Sequence, residues 1–219
     1  MRLLSFFRKN KQESRSDSTF QSRAEEDSDA VRNRGKYMQE AVPVGVGAMA
    51  AILGLPAEAV EAGCAEAAKG QICSPANINS PSQVVIAGNA DAIDRACEIL
   101  KAKGAKRAIK LNVSAPFHCA LMMPAQERLS AELAGLVYGE FEFPIVHNVD
   151  ALVSLTSVKK TSFRWWLPSI ETLAANGVDK FVEIGPGKVL SGLVRQIVRE
   201  STQLNIEDSV SLKNTLETL

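Results

Sequence analysis

The stretch Val46-Gly47-Ala48-Met49-Ala50-Ala51-Ile52-Leu53 begins the part of the chain whose pattern decides the fold. Its residues are small and apolar, and this composition over so short a run predicts a β-strand. Pro56 follows and predicts the start of a helix over residues 56–69, because proline fits the first turn of a helix. Gly70 lies where a glycine commonly ends a helix. The stretch and its continuation therefore predict a strand followed by a helix.

The chain up to residue 113 extends this pattern. Two strands are predicted at residues 72–77 and 83–88, joined by the turn formers Asn, Ser and Pro at 79–82. Apolar residues recur at helical spacing over 91–103, and Gly104 separates that helix from a strand predicted at 106–113. The order strand, helix, strand, strand, helix, strand is that of a ferredoxin-like unit. We therefore predict a ferredoxin-like βαββαβ subdomain over residues 45–112.

One candidate catalytic side chain follows this subdomain directly. His118 lies in Asn112-Val113-Ser114-Ala115-Pro116-Phe117-His118, where a predicted strand ends at a proline and a helix over 120–134 is predicted to begin. Histidine has the side-chain pKa nearest neutrality, so a histidine at such a junction can exchange protons with a bound substrate. The alternative is a histidine that only caps or packs the start of the helix.

A candidate binding residue precedes the subdomain. Arg34 lies near the end of a helix predicted over 31–39, which the approach to Pro43 ends, because proline disfavours helical geometry in the residue before it. The planar fork of a guanidinium matches the geometry of a carboxylate. The alternative is a solvated arginine beside Arg32 and Lys36.

Three motifs occur in the order found in one enzyme family. They are Arg34-Gly35-Lys36-Tyr37-Met38-Gln39-Glu40-Ala41-Val42-Pro43, Ser114-Ala115-Pro116-Phe117-His118-Cys119-Ala120-Leu121-Met122 and Gly185-Pro186-Gly187-Lys188-Val189-Leu190. With them the chain resembles, from about residue 31 to about 199, the C-terminal part of the malonyl-CoA:acyl-carrier-protein transacylases of bacterial fatty-acid synthesis. The resemblance implies His118 as the catalytic base and Arg34 as the arginine that binds the malonyl carboxylate. It also implies malonyl-CoA as substrate, acyl carrier protein as partner and no cofactor.

The rest of the domain organisation follows from the resemblance and the pattern together. The expected fold class is α/β (α+β), with residues 30–44 and 113–200 forming an incomplete α/β-hydrolase-like acyltransferase domain around the subdomain. Within this domain, the sequence pattern predicts a helix over 169–176, a strand over 180–184 and a helix over 189–200. The glycine turn between the last two is predicted to form a wall of the cleft. The polar tail 201–219 is predicted to be loose.

The first residues have a different composition. From residue 11 to 29 the chain is mostly Ser, Arg, Asp, Glu and Gln, which cannot bury enough apolar surface to offset the entropy of ordering. Residues 1–29 are therefore predicted to be a mostly disordered leader. A basic membrane-surface anchor is the alternative, but its apolar stretch is too short for stable binding on its own.

Composition excludes several classes of function. The 219 residues carry 25 basic and 25 acidic side chains, so no net charge favours nucleic acid, and no apolar run is long enough to cross a membrane. The cysteines Cys64, Cys73, Cys97 and Cys119 lack the spacing of a zinc site or of a disulfide framework. We therefore expect no metal, no nucleic-acid or membrane partner, and a cytoplasmic location.

Two departures from the family limit the functional prediction. No G-x-S-x-G segment occurs in the chain, although acyl transfer through an acyl-enzyme needs a nucleophile on such an elbow. Residues 152–163 replace a longer segment in which the family carries a glutamine whose backbone carbonyl orients the histidine. The first hypothesis is therefore an ACP S-malonyltransferase that is truncated and impaired. The second is a non-catalytic remnant or interaction fragment of a split transacylase.

Overall fold

The computed structural model describes residues 3–4, 17–136, 143–154 and 165–219, with side chains from residue 29 onward. The strands are β1 (Leu3–Leu4), β2 (Gly47–Leu53), β3 (Cys73–Ser80), β4 (Gln83–Asn89), β5 (Arg107–Lys110), β6 (Ile145–His147), β7 (Leu152–Ser154), β8 (Lys180–Ile184) and β9 (Thr202–Ile206). The helices are α1 (Asp17–Glu40), α2 (Ala57–Ala68), α3 (Ala90–Ala102), α4 (Met123–Gly135), α5 (Trp166–Ala175), α6 (Val189–Ile197) and α7 (Ser209–Thr218), and a 3-10 helix spans Ala120–Met122.

Strands β2 to β5 form a four-stranded sheet in the order β3-β4-β2-β5, with every neighbouring pair antiparallel. The strands on either side of α2 are parallel to each other but separated by β4, and those on either side of α3 are separated by β2. This is the split βαβ arrangement of a ferredoxin-like unit. The predicted βαββαβ order and the mixed α/β fold class are confirmed. The exact limits of the subdomain at residues 45 and 112 stay a prediction.

The two faces of this sheet have different partners. On one face, alternate strand residues such as Ala50, Ile52 and Ile86 pack against α2 and α3 in the largest buried cluster. On the other face, Met49, Ala51, Val85 and Ala87 lie in a second cluster, which Leu111, Phe117 and Cys119 cover. The alternation of strand side chains thus buries both faces, and the segment that carries His118 covers the face opposite the helices.

Some predicted boundaries in this region were wrong. Strand β3 continues to Ser80, so only Pro81 and Ser82 form the turn that was predicted over 79–82. Strand β5 ends at Lys110 rather than at residue 113. His118 therefore lies in an irregular segment between β5 and the 3-10 helix, not directly at a junction of strand and helix.

A second sheet contains β1, β8 and β9 in the order β1-β8-β9, with β8 and β9 parallel. The prediction of a loose tail over 201–219 is wrong, because β9 pairs with β8 and α7 follows it. Asp208 caps α7 through a hydrogen bond from the backbone N–H of Ser211, and this cap satisfies a donor at the start of the helix.

The N-terminal prediction also needs correction. Helix α1 begins at Asp17, so residues 17–29 are helical and not disordered. Leu3–Leu4 pairs with β8, and the remainder of the predicted leader lies outside the described residues. The helix ends at Glu40, close to the predicted end before Pro43.

Strands β6 and β7 form an antiparallel pair. The rest of the segment predicted to depart from the family, residues 155–163, lies outside the described residues. Within the described part of the chain, no helix combines the length and the apolar composition that crossing a membrane requires.

Candidate active site

Arg34 and His118 line one pocket of about 330 Å³, although 83 residues separate them in sequence. Arg34 comes from the last turns of α1, and His118 from the segment after β5. The remaining lining residues come from β3, from the 3-10 helix and its approach, and from α1 and α4; they are Met38, Ser74, Cys119, Ala120, Met122, Met123, Ala125, Gln126 and Leu129. The two predicted site residues are thus brought together.

A small apolar cluster holds the two sides of the pocket against each other. Val42, Ala115 and Met122 are buried in it, and Met38 and Phe117 pack at its edge. Val42 follows the helix of Arg34, whereas Ala115 and Phe117 precede His118. Burial of these side chains therefore sets the separation of the guanidinium and the imidazole.

The segment before His118 rests on a glycine of the ferredoxin-like sheet. A Cβ atom at Gly47 would lie 2.3 Å from the side chain of Pro116, so only glycine lets the segment approach β2 so closely. His118 has φ of 62°, in the left-handed region that few residues other than glycine adopt. The Cys119 thiol donates a hydrogen bond of 3.1 Å to the carbonyl oxygen of Pro116. These contacts fix the direction in which the imidazole projects.

Burial controls the electrostatics of the pocket. The pKa of His118 is lowered, first by burial and second by the positive charge of Arg34. Burial also lowers the pKa of Arg34, whose ordinary value is so high that the guanidinium keeps its charge at neutral pH. The pocket therefore presents a neutral imidazole, which can accept a proton, beside a cation that can attract a carboxylate.

Some lining residues were not predicted as parts of a site. Ser74 is one of them, and strand alternation explains its place, since its neighbour Cys73 packs into the cluster on the opposite face of the sheet. Cys119 is another, and its position next to His118 was the only signal for it in the sequence. Ser74 is the single serine in the pocket lining, and it lies within β3 rather than on a strand-to-helix elbow.

The glycine turn at residues 185–187, predicted as a wall of the cleft, is not part of this pocket. It connects β8 to α6, and the N–H of Gly187 donates a hydrogen bond of 2.9 Å to the Glu207 carboxylate. The buried carboxylate of Glu183 accepts hydrogen bonds from the backbone N–H groups of Leu190 and Ser191 at the start of α6. Carboxylates of the chain itself thus occupy donors that a phosphate could otherwise use.

Neither His147 nor the other cysteines belong to the lining of the pocket. Across the described ranges, no group of three or more His, Cys, Asp or Glu side chains could hold a metal ion. The groups that this pocket brings together can transfer a proton, through His118, and recognise an anionic group, through Arg34.

Comparison with known proteins gives close relatives. The chain is 46% identical over 200 residues to the malonyl CoA-acyl carrier protein transacylase of Escherichia coli (strain K12), an alignment that covers 86% of this chain and 65% of the relative. No family model matches. The chain therefore spans slightly less than two thirds of the length of that relative.

Solved structures agree with the sequence comparison. An acyl carrier protein S-malonyltransferase from Vibrio cholerae superposes with a TM-score of 0.79 at 43% identity, covering 85% of this chain and 64% of that chain. A malonyl-transacylase in complex with its type II PKS acyl-carrier protein has the same TM-score and identity, covering 87% of this chain and 64% of that one.

The chain shares the mixed α/β fold of these acyltransferase structures. Over the part that aligns, it is homologous to malonyl CoA-acyl carrier protein transacylases.

Proposed function

We propose that this chain carries the base and the carboxylate-binding residue of an ACP S-malonyltransferase, which moves malonyl from coenzyme A to acyl carrier protein. The observation that supports the proposal is the pocket shared by His118 and Arg34. Malonyl differs from acetyl by a free carboxylate, and the Arg34 guanidinium offers the charge and the donor geometry that recognise it.

In the proposed reaction His118 moves one proton. The neutral imidazole takes the proton of the attacking nucleophile while that nucleophile bonds to the thioester carbonyl carbon. The imidazolium then returns the proton to the coenzyme A thiolate as the carbon–sulfur bond breaks. In the second half, the phosphopantetheine thiol of acyl carrier protein attacks and the same histidine repeats the exchange. Because Arg34 lowers the pKa of His118, a carboxylate bound to Arg34 would offset that effect and make the imidazole a stronger base.

The partner and the location belong to the same proposal. One structural neighbour was solved in complex with its acyl-carrier protein, which supports acyl carrier protein as the partner here. The cysteines of the described part are all free thiols, and free thiols persist in a reducing cytoplasm.

The second candidate function is a non-catalytic interaction fragment of a split transacylase. The absence of G-x-S-x-G from the sequence favours it, since the chain then lacks the nucleophile and the adjacent oxyanion donors. Under this alternative the chain keeps affinity for acyl carrier protein or for a fragment that carries the serine, but it does not transfer malonyl alone.

Ligand discrimination tests the carboxylate role of Arg34. Titration calorimetry with malonyl-CoA and acetyl-CoA should show tighter binding of malonyl-CoA, and Arg34→Gln should weaken malonyl-CoA by about tenfold or more, the effect of losing one charge-assisted contact. The affinity for acetyl-CoA should change little, because acetyl has no carboxylate.

Arg32→Gln is the matched control. Arg32 lies on the same helix, but its side chain is 77% exposed and 3.6 Å from Asp29. Its replacement should leave both affinities unchanged. Equal binding of the two ligands by the unchanged protein, or an equal loss in both arginine variants, would contradict the proposed role of Arg34.

A further inference from the structure

Three cysteines converge in the ferredoxin-like subdomain, away from the pocket lining. Cys64 lies on α2 and Cys97 on α3, and both are buried in the cluster between the helices and the sheet. Cys73, the first residue of β3, packs against the same cluster and is partly exposed. All of them are free thiols. The proposed malonyl transfer uses none of these thiols.

Cys64 and Cys73 pack in the same cluster, on facing parts of α2 and β3. A hydrogen bond between the two side chains, with Cys64 as the donor, couples the pKa values of their thiols. Cys64 is 1% exposed, whereas Cys73 is accessible to a small reagent. A buried donor thus faces a sulfur that solvent can reach, and the eight residues between them close a short loop at the end of α2.

Arg95 distinguishes the two sulfurs electrostatically. Its guanidinium donates to the carbonyl oxygen of Ala67 at 2.9 Å, to that of Ala68 at 3.3 Å and to the Gln71 side chain at 2.7 Å. These bonds hold its charge at the C-terminus of α2, near Cys73.

The pKa directions agree with this placement. The hydrogen bond from Cys64 and the charge of Arg95 lower the pKa of Cys73, and together they outweigh its burial, which raises it. The pKa of Cys64 is raised by the hydrogen bond with Cys73, by burial and by the charge of Glu61. A cysteine of lowered pKa that is partly accessible and lies beside an arginine and a second thiol is the arrangement found in redox-sensing cysteines.

We propose that Cys73 and Cys64 form a peroxide-responsive thiol pair, in which Cys73 reacts and Cys64 resolves the product. The Cys73 thiolate attacks one oxygen of hydrogen peroxide, the O–O bond breaks, and hydroxide leaves a sulfenic acid on Cys73. The Cys64 sulfur then attacks that sulfenic sulfur, water leaves with the Cys64 proton, and a disulfide forms. The two thiols lose two electrons, and the peroxide accepts them.

The position of the pair links it to the pocket. Cys73 and Ser74 are consecutive on β3, so their side chains project to opposite faces of the sheet, and Ser74 lines the pocket with His118. A disulfide from β3 to α2 would therefore restrain the strand one residue from the pocket lining. The proposal itself stands independently of malonyl transfer, because its evidence is the thiol pair and Arg95.

Peroxide titration of the whole chain tests the pair. After hydrogen peroxide, alkylation of the remaining thiols and peptide mapping without reductant, we expect one cross-linked species that joins Cys64 to Cys73 and has lost two hydrogens. Reduction should restore both thiols. In Cys64→Ala, dimedone should trap a sulfenic acid on Cys73, and in Cys73→Ser the cross-link should disappear.

Two further variants sharpen the test. Arg95→Gln should slow the loss of the Cys73 thiol by about three- to tenfold, because less of it is thiolate. Cys97→Ser is the matched control, and it should react as the unchanged chain does. The proposal is overturned if the cross-link in the unchanged chain involves Cys97 or Cys119, or if Cys73 is oxidised no faster than Cys119. Because this readout is on the unchanged chain, it does not depend on the folding of any variant.

Discussion

The Arg128 guanidinium lies 3.8 Å from the centre of the Tyr37 ring, and this stacking fastens the helix of Arg34 to the helix that follows His118. Arg128 also donates a hydrogen bond of 2.7 Å to Glu40 at the end of α1. Glu132 on α4 accepts hydrogen bonds from the Tyr37 hydroxyl and from the Asn33 amide. The two walls of the pocket are therefore joined by side chains that do not line it.

Removing this connection should affect ligand binding. Arg128→Ala deletes the stacking and the bond to Glu40, so α1 gains freedom and Arg34 is held less accurately. We expect the affinity for malonyl-CoA to fall by about threefold, with a smaller change for acetyl-CoA. Calorimetry measures both. Lys213→Ala, which removes an exposed 4.0 Å contact to Glu217 on α7, is the control and should change neither affinity. A similar loss in the control would argue against the connection.

The lowered pKa of His118 predicts a pH dependence of stability. The unfolded chain binds a proton near the ordinary pKa of 6.5, whereas burial and Arg34 make the folded chain bind it only at lower pH. Stability is therefore fully present above about pH 6.5 and is lost as the pH falls toward the lower folded value, with a slope of at most about 1.4 kcal/mol per pH unit. Urea unfolding at about pH 7.5 and about pH 5.5 measures it.

His118→Asn isolates this contribution, since asparagine does not titrate. Its free energy of unfolding should decline less between the two pH values than that of the unchanged chain. Parallel declines in both proteins would mean that other groups cause the pH dependence.

The chain alone should form no covalent malonyl adduct. Transacylation needs a nucleophile on a strand-to-helix elbow, and the sequence has no G-x-S-x-G while Ser74 lies within β3. Intact mass spectrometry after incubation with malonyl-CoA should show the unmodified mass. An added malonyl group that disappears in His118→Ala would contradict this, and Ser74→Ala and Cys119→Ala would then identify the residue that carries it.

The buried Glu183 should be important for stability. Its carboxylate is completely buried and accepts hydrogen bonds of 3.2 Å and 2.8 Å from the N–H groups of Leu190 and Ser191. In Glu183→Gln an amide replaces the charged acceptor, which should lower the free energy of unfolding by about 1.5–3 kcal/mol. Glu217→Gln, an exposed site on α7, should cost less than about 0.5 kcal/mol. Similar midpoints for both variants in urea would contradict the role of Glu183.

The sequence predicted the subdomain well because its helices repeat apolar residues at helical spacing, and its strands are short apolar runs bounded by turn residues. Helix α7 was not predicted because leucines of the helix are exposed to solvent while a threonine is buried. Thr215 is buried and hydrogen-bonds to the Asn205 carbonyl oxygen, while Leu212 and Leu216 are 41% and 64% exposed. A polar inner face and an apolar outer face resemble a loose polar tail when only the sequence is read.

The site was predicted in part. That Arg34 and His118 share a pocket could be expected from the motifs, since their neighbours match a family, whereas their roles in binding and proton transfer stay predictions. The place of Ser74 in the pocket lining could not be predicted, because the alternation of side chains along β3 does not show which face of the strand meets the pocket. The left-handed backbone conformation of His118 could not be predicted from the sequence either, since it depends on the approach of Pro116 to Gly47.

The place of β2 in its sheet has a consequence for the order of folding. This first strand of the subdomain lies between β4 and β5, so both of its partners are made after it. As the ribosome releases the chain from its N-terminus, Gly47–Leu53 stays without partners until Asn89 and then Lys110 have emerged. The surface that supports Pro116 and His118 is thus completed only shortly before the histidine itself leaves the ribosome.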